Sequence, residues 1–339
     1  MRHTRGVTRW RGVSVSGALP GCERHPRSSR PTVAAVAFAV PDDTVLVADG
    51  GLATELEARG ADLSDPLWSA RLLIEAPEEV EAVHRAYFAA GAQIATTASY
   101  QASFEGFAAR GVDAATAEGL LARSVRLARA ATDDGPRRWV AASIGPYGAS
   151  RADGSEYLGR YGLSVAQLSA WHRPRLEVLA SAGADLLALE TVPDVDEAEA
   201  LVGLVRATGL PAWLSYTIAG TATRAGQSLD QAFAVATGVP QIVAVGVNCC
   251  DPDDVLPAIE IARAVTEKPV IVYPNSGERW TSGGWSGPAR FSPALVPAWI
   301  AAGARIVGGC CRVGPADITA VAALRRTCTQ RENPCGNSR

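Results

Sequence analysis

The chain has 339 residues, 47% of them apolar, and a formal net charge of −3. That length suits one large domain or two smaller ones, and the apolar share allows a sizeable core. The near-balance of charge excludes a global electrostatic pull toward nucleic acid or an acidic membrane surface. No apolar run reaches the roughly 18 uncharged residues that a membrane-spanning helix needs, so no membrane partner is expected.

In chain order, residues 1–30 carry seven arginines against one acid, Glu23, and Val33 to Val40 is apolar but short. This could be mistaken for a signal sequence. The expectation is instead a disordered Arg-rich extension over residues 1–40, with structural rhythm beginning near Asp42. From there, short β-branched runs recur and end in Gly, Asn, Asp, Ser or Cys. They are Val45 to Gly51, Gln93 to Tyr100, Trp139 to Gly148, Leu186 to Val192, Ala212 to Ile218, Ile242 to Cys250, Pro269 to Asn275 and Arg305 to Cys311. Most are continuously apolar, as strands buried on both faces of a parallel sheet are.

Helical stretches separate these runs. Pro77 to Ala90 opens with Pro and acidic residues. Ala166 to Ala182 contains Pro174, which should kink or divide it. Pro293 to Ala302 is the third clear case. Each ends in the same triplet: Ala90-Gly91-Ala92, Ala182-Gly183-Ala184 and Ala302-Gly303-Ala304. A Gly just past a helix can take the left-handed cap conformation and feed a short turn into the next strand. Three copies of one joint predict a repeated α/β unit. The expected fold is α/β, a single-domain (β/α)8 TIM-type barrel over residues 41–326, with 327–339 a flexible tail. An open doubly wound sheet is the runner-up, weakened by the lack of Gly-x-Gly-x-x-Gly after the first strand.

The chemistry-bearing residues cluster at strand ends: Asp49, Tyr100, Glu190, Asn248 with Cys249, Asn275, and Cys310 with Cys311. In a barrel those ends converge on one face. The seven cysteines include two adjacent pairs, Cys249-Cys250 and Cys310-Cys311, with none between Glu23 and Asn248. Such spacing fits reduced metal-binding or reactive thiols in a cytoplasmic enzyme better than a secreted disulfide framework.

Neighbours in a strand point to opposite faces, so Cys310 and Cys311 can share a metal only where the backbone turns. Gly308-Gly309 allows a turn there. A third thiolate would come from Cys249 or Cys250. Parity groups Cys249 with Val243, Val245 and Val247, and Cys250 with Gly246 and Asn248, so either could serve. Three thiolates select zinc over harder cations and leave one tetrahedral position open, as in catalytic sites. Such a zinc suits an incoming thiol, which it would hold as a nucleophilic thiolate without a general base. The competing reading is a thiol-based redox or metal-sensing protein.

His84 and His172 fall within helices and read as structural or surface residues. Glu190, after Leu186 to Leu189, needs a partner if buried. A substrate ammonium and an internal Arg, such as Arg173 or Arg175, are the two candidates. Asp49, before Gly50-Gly51, is a turn former or a ligand-binding acid.

Several motifs together are familiar. Asp49-Gly50-Gly51, Thr97-Ala98-Ser99-Tyr100-Gln101-Ala102 and Ser143-Ile144-Gly145-Pro146-Tyr147-Gly148 resemble homocysteine S-methyltransferases. So do Glu190-Thr191, Gly246-Val247-Asn248-Cys249 and Gly308-Gly309-Cys310-Cys311-Arg312. The likeness spans about residues 43–325. It implies a (β/α)8 barrel with Zn2+ on Cys249, Cys310 and Cys311, which would choose Cys249 over Cys250. It further implies that Asp49, Glu190 and Asn248 help bind homocysteine, with Glu190 taking its ammonium. Gly50 and Tyr100 are counted with them as substrate-binding.

Asp153-Gly154-Ser155-Glu156-Tyr157 and Tyr273-Pro274-Asn275-Ser276-Gly277-Glu278 look most like the branch that uses S-methylmethionine. The partners implied are homocysteine and a sulfonium methyl donor, with S-adenosylmethionine a weaker donor and methionine the product. Betaine-dependent and selenocysteine methyltransferases of the same family are the alternatives. Gly51 stands where this branch often has Ala, and the Arg-rich start has no family counterpart. Trp280 and Trp285 are expected either to receive the sulfonium by cation–π attraction or to pack as an ordinary lid.

Overall fold

The computed structural model describes residues 38–331 apart from 42, 66, 134 and 282–283. The expected N-terminal extension therefore lies outside the described residues up to position 37. Of the expected C-terminal tail, positions 327–331 are described, as the end of the last helix, Pro315–Arg331, and 332–339 are not.

Eight parallel strands follow one another along the chain. They are β1 (Leu46–Val47), β2 (Ile94–Thr96), β3 (Trp139–Ile144), β4 (Leu186–Val192), β5 (Ala212–Tyr216), β6 (Ile242–Asn248), β7 (Val270–Tyr273) and β8 (Ala304–Val307). Each pairs with its sequence neighbours, and β1 pairs with β8. A bridge between Ala48 and Ile94 joins β1 to β2, with Gln93 N–H donating to Val47 O at 2.7 Å and Asp49 N–H to Ile94 O at 3.0 Å. The ring of pairings is a (β/α)8 barrel. The consecutive strand order rules out the doubly wound alternative.

The repeated helix-to-strand joint is present in all three places. Gly91, Gly183 and Gly303 have φ of +103°, +91° and +122°, a region open to Gly and costly for other residues. The helix Val165–Ser181 runs through Pro174 undivided, so of the two expected outcomes division does not occur. A Ser164/Gln167 capping box starts it, and Leu168, His172, Leu176 and Leu179 are buried along it. That packing holds the helix across the hydrogen bond that Pro174 cannot make.

Strand parity sorts the core. Leu46, Ile94, Trp139, Ala141, Leu186, Ala188, Trp213, Ala244, Ile271 and Ile306 form an interior cluster. Their neighbours Val47, Ala95, Val140, Leu187, Leu214, Val245, Val272 and Val307 belong to the cluster shared with the helices. Phe38 joins the interior cluster, buried and edge-on to Trp139 at 5.1 Å between ring centroids. Farther along the strands the interior positions turn polar: Thr96, Ser143, Glu190, Ser215, Asn248 and Tyr273. Apolar packing fills the barrel from one end, and the polar layer floors a cleft at the C-terminal ends.

Candidate active site

The strand-end loops build a cleft of about 1400 Å³. Pockets for one drug-sized ligand measure about 300–1,000 Å³, so this cleft has room for two amino-acid-sized molecules together. Asp49, Gly50, Tyr100, Glu190, Asn248, Cys249, Cys310 and Cys311 all line it. Every residue singled out from the sequence as a site residue is thus brought to one place.

The Sγ atoms of Cys249, Cys310 and Cys311 lie within 4.8 Å of one another, with Cys249 and Cys311 3.9 Å apart. Tetrahedral zinc with Zn–S bonds of about 2.3 Å needs sulfurs about 3.8 Å apart, so the set fits such an ion. Cys249 has φ of +50°. This left-handed residue ends β6 and breaks the alternation of the strand, turning Cys249 to the cleft. The side chain of Cys250 joins the outer apolar cluster.

The Gly308-Gly309 expectation needs one correction. Neither glycine has positive φ. They are required for space, because a Cβ on Gly308 would lie 2.7 Å from Asp49 O, and one on Gly309 2.1 Å from Val313 Cγ1. The Cys310-Cys311 turn is then held by backbone bonds. Cys310 N–H donates to Pro274 O at 2.8 Å, Cys311 N–H to Asn275 Oδ1 at 3.0 Å, and Ser276 N–H to Cys311 O at 2.9 Å. Gly50 and Gly51 permit close approach from the other side, since Cβ atoms there would lie 2.2 Å from Val313 O and 2.5 Å from Cys310 O.

The thiols are electrostatically interdependent. Hydrogen bonds from Cys310 and Cys311, then from Tyr157, hold Cys249 well below the usual thiol range. Bonding to Cys249, and its charge, push Cys310 and Cys311 well above it. Three thiolates held this close together would require a cation among them.

Glu190 is buried on the cleft floor, with Ser143 Oγ donating to Oε1 and Tyr273 OH to Oε2 at 3.2 Å. Trp213 Nε1 in turn donates to the Tyr273 hydroxyl at 2.9 Å. Burial raises the Glu190 pKa to about 7, against the lowering effect of Ser143. Among the described residues no arginine pairs with it. Arg175 donates to the carbonyls of Ala102 and Gly145, and Arg173 pairs with Glu177. The internal-Arg reading of Glu190 is thereby overturned.

Asp49 is also raised to about 7 by burial, although Thr96 N–H and Thr96 Oγ1 donate to it at 2.7 and 2.9 Å. Those two bonds tie β1 to β2 where the barrel closes. Glu156, on the loop after β3, is a third acid raised to about 7 by burial. Tyr100 is close enough to Cys249, Glu156 and Glu190 that their charges add to burial in raising its phenol.

Asn248 is committed to its neighbours. Its Oδ1 accepts from Thr191 N–H and Ser215 Oγ, and its Nδ2 donates to Thr191 Oγ1, each at 2.8 Å. It holds Thr191 at φ of +58°, where the β4–β5 register shifts between Leu189 and Val192. That bulge sets the direction of Glu190.

Sequence reasoning missed Ser143, Tyr273 and Trp213 as the support of Glu190. It also missed Tyr157, whose hydroxyl is 3.2 Å from Cys249 Sγ. Parity within β3 and β7 was the available signal for Ser143 and Tyr273. His84 and His172 are buried in helices away from the cleft, His172 Nε2 lying 2.7 Å from Glu197 Oε1. This makes them structural and not surface residues. Trp285 lines the cleft with the Arg312 guanidinium 5.9 Å from its ring, while the Trp280 side chain lies outside the described residues.

The family model for homocysteine S-methyltransferase matches residues 46–324. The chain belongs to the homocysteine S-methyltransferase family. It is a methyltransferase that acts on homocysteine. The homocysteine S-methyltransferase of Escherichia coli is 47% identical over 295 residues, covering 82% of this chain and 94% of the relative. The selenocysteine Se-methyltransferase of Brassica oleracea is 42% identical, covering 81% and 87%. The crystal structure of the Escherichia coli homocysteine methyltransferase MmuM in its metallated form matches with a TM-score of 0.76 at 46% identity, covering 83% of this chain and 96% of that one. The three-cysteine cluster could hold a metal ion, and the matching relative has a metallated form. No helix among the described residues is long and apolar enough to cross a membrane.

Proposed function

We propose that this chain methylates homocysteine with S-methylmethionine at a Zn2+ ion on Cys249, Cys310 and Cys311. The observation that carries the reading is the meeting of three thiols with acids that the protein does not neutralise. Nine acidic residues and one basic residue, Arg224, line the cleft among its described residues. At the rim Asp65, Asp251 and Glu278 pair with Arg110, Arg290 and Arg312. Deeper in, Asp49 and Glu190 have only hydroxyl and amide partners. A cleft so charged suits an amino acid with a free ammonium and a cationic methyl donor.

Zinc bound there would lower the pKa of an entering thiol and, being rich in thiolates, would leave that sulfur nucleophilic. The chain's own residues do the rest. Glu190, braced by Ser143 and Tyr273, takes the homocysteine ammonium, and Asp49 adds negative charge beside it. Asn248 keeps the Glu190-Thr191 bulge in place, Tyr157 donates toward Cys249, and Gly50 lets the strand-end loops close up. The homocysteine sulfur forms the new S–CH3 bond as the donor's S–CH3 bond breaks, and the bonding pair leaves with the donor sulfur as a neutral thioether. No general base is needed, and alignment supplies the rate.

The likeness of residues 153–157 and 273–278 to the S-methylmethionine branch supports that donor, with S-adenosylmethionine the weaker one. Free thiols suit a reducing, cytoplasmic setting. The test is metal analysis of anaerobically purified protein together with methionine formation from homocysteine. S-Methylmethionine, S-adenosylmethionine and betaine are assayed in parallel, with selenocysteine as a second acceptor. One zinc per chain and fastest turnover with S-methylmethionine are expected. Absence of zinc, or betaine as the preferred donor, would refute the proposal.

A further inference from the structure

The proposed acceptor chemistry uses Asp49 and Glu190 and leaves Glu156 without a task. Glu156 lines the cleft, and its Oε2 is buried with no hydrogen-bond partner. Its loop is stiffly held. A Cβ on Gly148 would lie 2.5 Å from Glu156 N, Ser155 N–H donates to Asp153 Oδ1 at 3.0 Å, and Tyr157 N–H donates to Gly154 O at 3.1 Å. The next residue, Tyr157, has its hydroxyl 3.2 Å from Cys249 Sγ. Glu156 is therefore fixed one residue from a group that touches a thiol of the metal site.

A base stands against the Tyr157 ring. The Arg224 guanidinium lies 5.8 Å from the Tyr157 ring centroid. Arg224 is the single basic residue among the described residues lining the cleft. An acid with one unpartnered oxygen is thus next to Tyr157 in the chain, and a base lies against the Tyr157 ring. Glu190, on the floor of the barrel, is separate from both in chain and in partners. An α-amino acid presents an ammonium and a carboxylate on one carbon, which is the ligand pattern such a pair recognises.

We infer that Glu156 and Arg224 form the amino-acid subsite of the methyl donor, Glu156 taking its α-ammonium and Arg224 its α-carboxylate, with Tyr157 between this head and the thiol cluster. The inference rests on the reading of the donor as a sulfonium amino acid. It accounts for donor choice in chemical terms. Betaine, whose quaternary α-ammonium has no N–H, would satisfy Arg224 but offer the buried Oε2 of Glu156 no hydrogen bond.

The experiment compares the zinc-loaded parent, Glu156→Gln and Arg224→Met with two donors. One is S-methylmethionine. The other is dimethylsulfoniopropionate, a sulfonium carboxylate with no α-ammonium. Glu156→Gln is expected to lower kcat/KM for S-methylmethionine about 10- to 100-fold through KM, and the parent's preference over dimethylsulfoniopropionate is expected to fall by the same factor. Arg224→Met, at an exposed position, should weaken both donors alike. Calorimetric titration of S-methylmethionine into the metal-free chain should rank the three proteins in the same order without turnover.

Two outcomes would overturn the assignment: a Glu156→Gln variant that keeps the parent's donor preference, or one that raises the KM for homocysteine instead. If the parent itself transfers no methyl from S-methylmethionine, the donor reading fails on its own, before either variant is measured.

Discussion

Glu190→Gln should make the substrate-free protein more stable and a worse enzyme. The carboxyl is buried among Ser143, Tyr273 and the barrel wall, and its pKa rises from 4.5 to about 7. Between those two pH values the folded chain keeps a proton that the unfolded chain has lost, so stability falls as pH rises through this window. At about 1.4 kcal/mol per unit, the fully ionised group costs roughly 3 kcal/mol above pH 7. Gln keeps the shape and removes the charge. The variant should therefore melt about 5 °C above the parent at pH 8 and match it near pH 5. The charge-assisted bond to the substrate ammonium is lost in exchange, raising the KM for homocysteine about 10- to 100-fold. Calorimetric melting from pH 5 to 8, with homocysteine titration at pH 8, measures both effects. A variant that melts below the parent at pH 8, or binds homocysteine as well, would refute the reasoning.

The two cysteines that end β6 should separate cleanly. Cys250→Ala removes a small group from the outer apolar cluster and should cost about 1 kcal/mol by chemical denaturation while metal content stays at the parent level. Cys311→Ser should strip metal and methyl transfer together, since one of three thiolates is gone. Metal analysis of both checks the assignment, and a metal-free Cys250→Ala protein would contradict it. Gly309→Ala places a methyl against the Val313 side chain, with Cγ1 2.1 Å away, and should destabilise by about 1–3 kcal/mol in urea melts. Asn248→Ala deletes three buried hydrogen bonds, two to Thr191 and one from Ser215, and should cost about 3 kcal/mol, with kcat/KM falling as the Glu190-Thr191 bulge loosens.

The barrel was legible because its signals are local. Continuous apolar runs and the three Ala-Gly-Ala joints each report a physical need that one stretch of chain meets by itself. Strand ends were less legible. The apolar-to-polar runs predicted strands as far as Gly51, Tyr100 and Cys250, yet the strands end at Val47, Thr96 and Asn248. The residues beyond leave the sheet to bind across the cleft, and run length does not encode that departure. Glu190's partners were hidden for a similar reason. Ser143 and Tyr273 lie on strands distant in sequence and meet Glu190 only because the barrel closes.

The choice between Cys249 and Cys250 shows why parity failed at the site itself. Alternation assigns a face only while every residue stays extended. Thr191, Cys249 and Arg312 have φ of +58°, +50° and +62°, each one residue after a cleft residue (Glu190, Asn248 and Cys311). Left-handed backbone costs a non-glycine residue about 1–3 kcal/mol and persists only where surrounding bonds hold it. Such bonds are present here. Asn248 grips Thr191, Cys249 N–H donates to Tyr273 O at 3.2 Å with Thr217 Oγ1 donating to Cys249 O at 3.2 Å, and Arg312 N–H donates to Thr54 Oγ1 at 3.1 Å. At β6 the strain has a direct result: two consecutive side chains, Asn248 and Cys249, line one cleft where an extended strand would present one. The conformations that obscured the choice of cysteine in the sequence are therefore the ones that assemble the thiol cluster in the cleft that Asp49 and Glu190 also line.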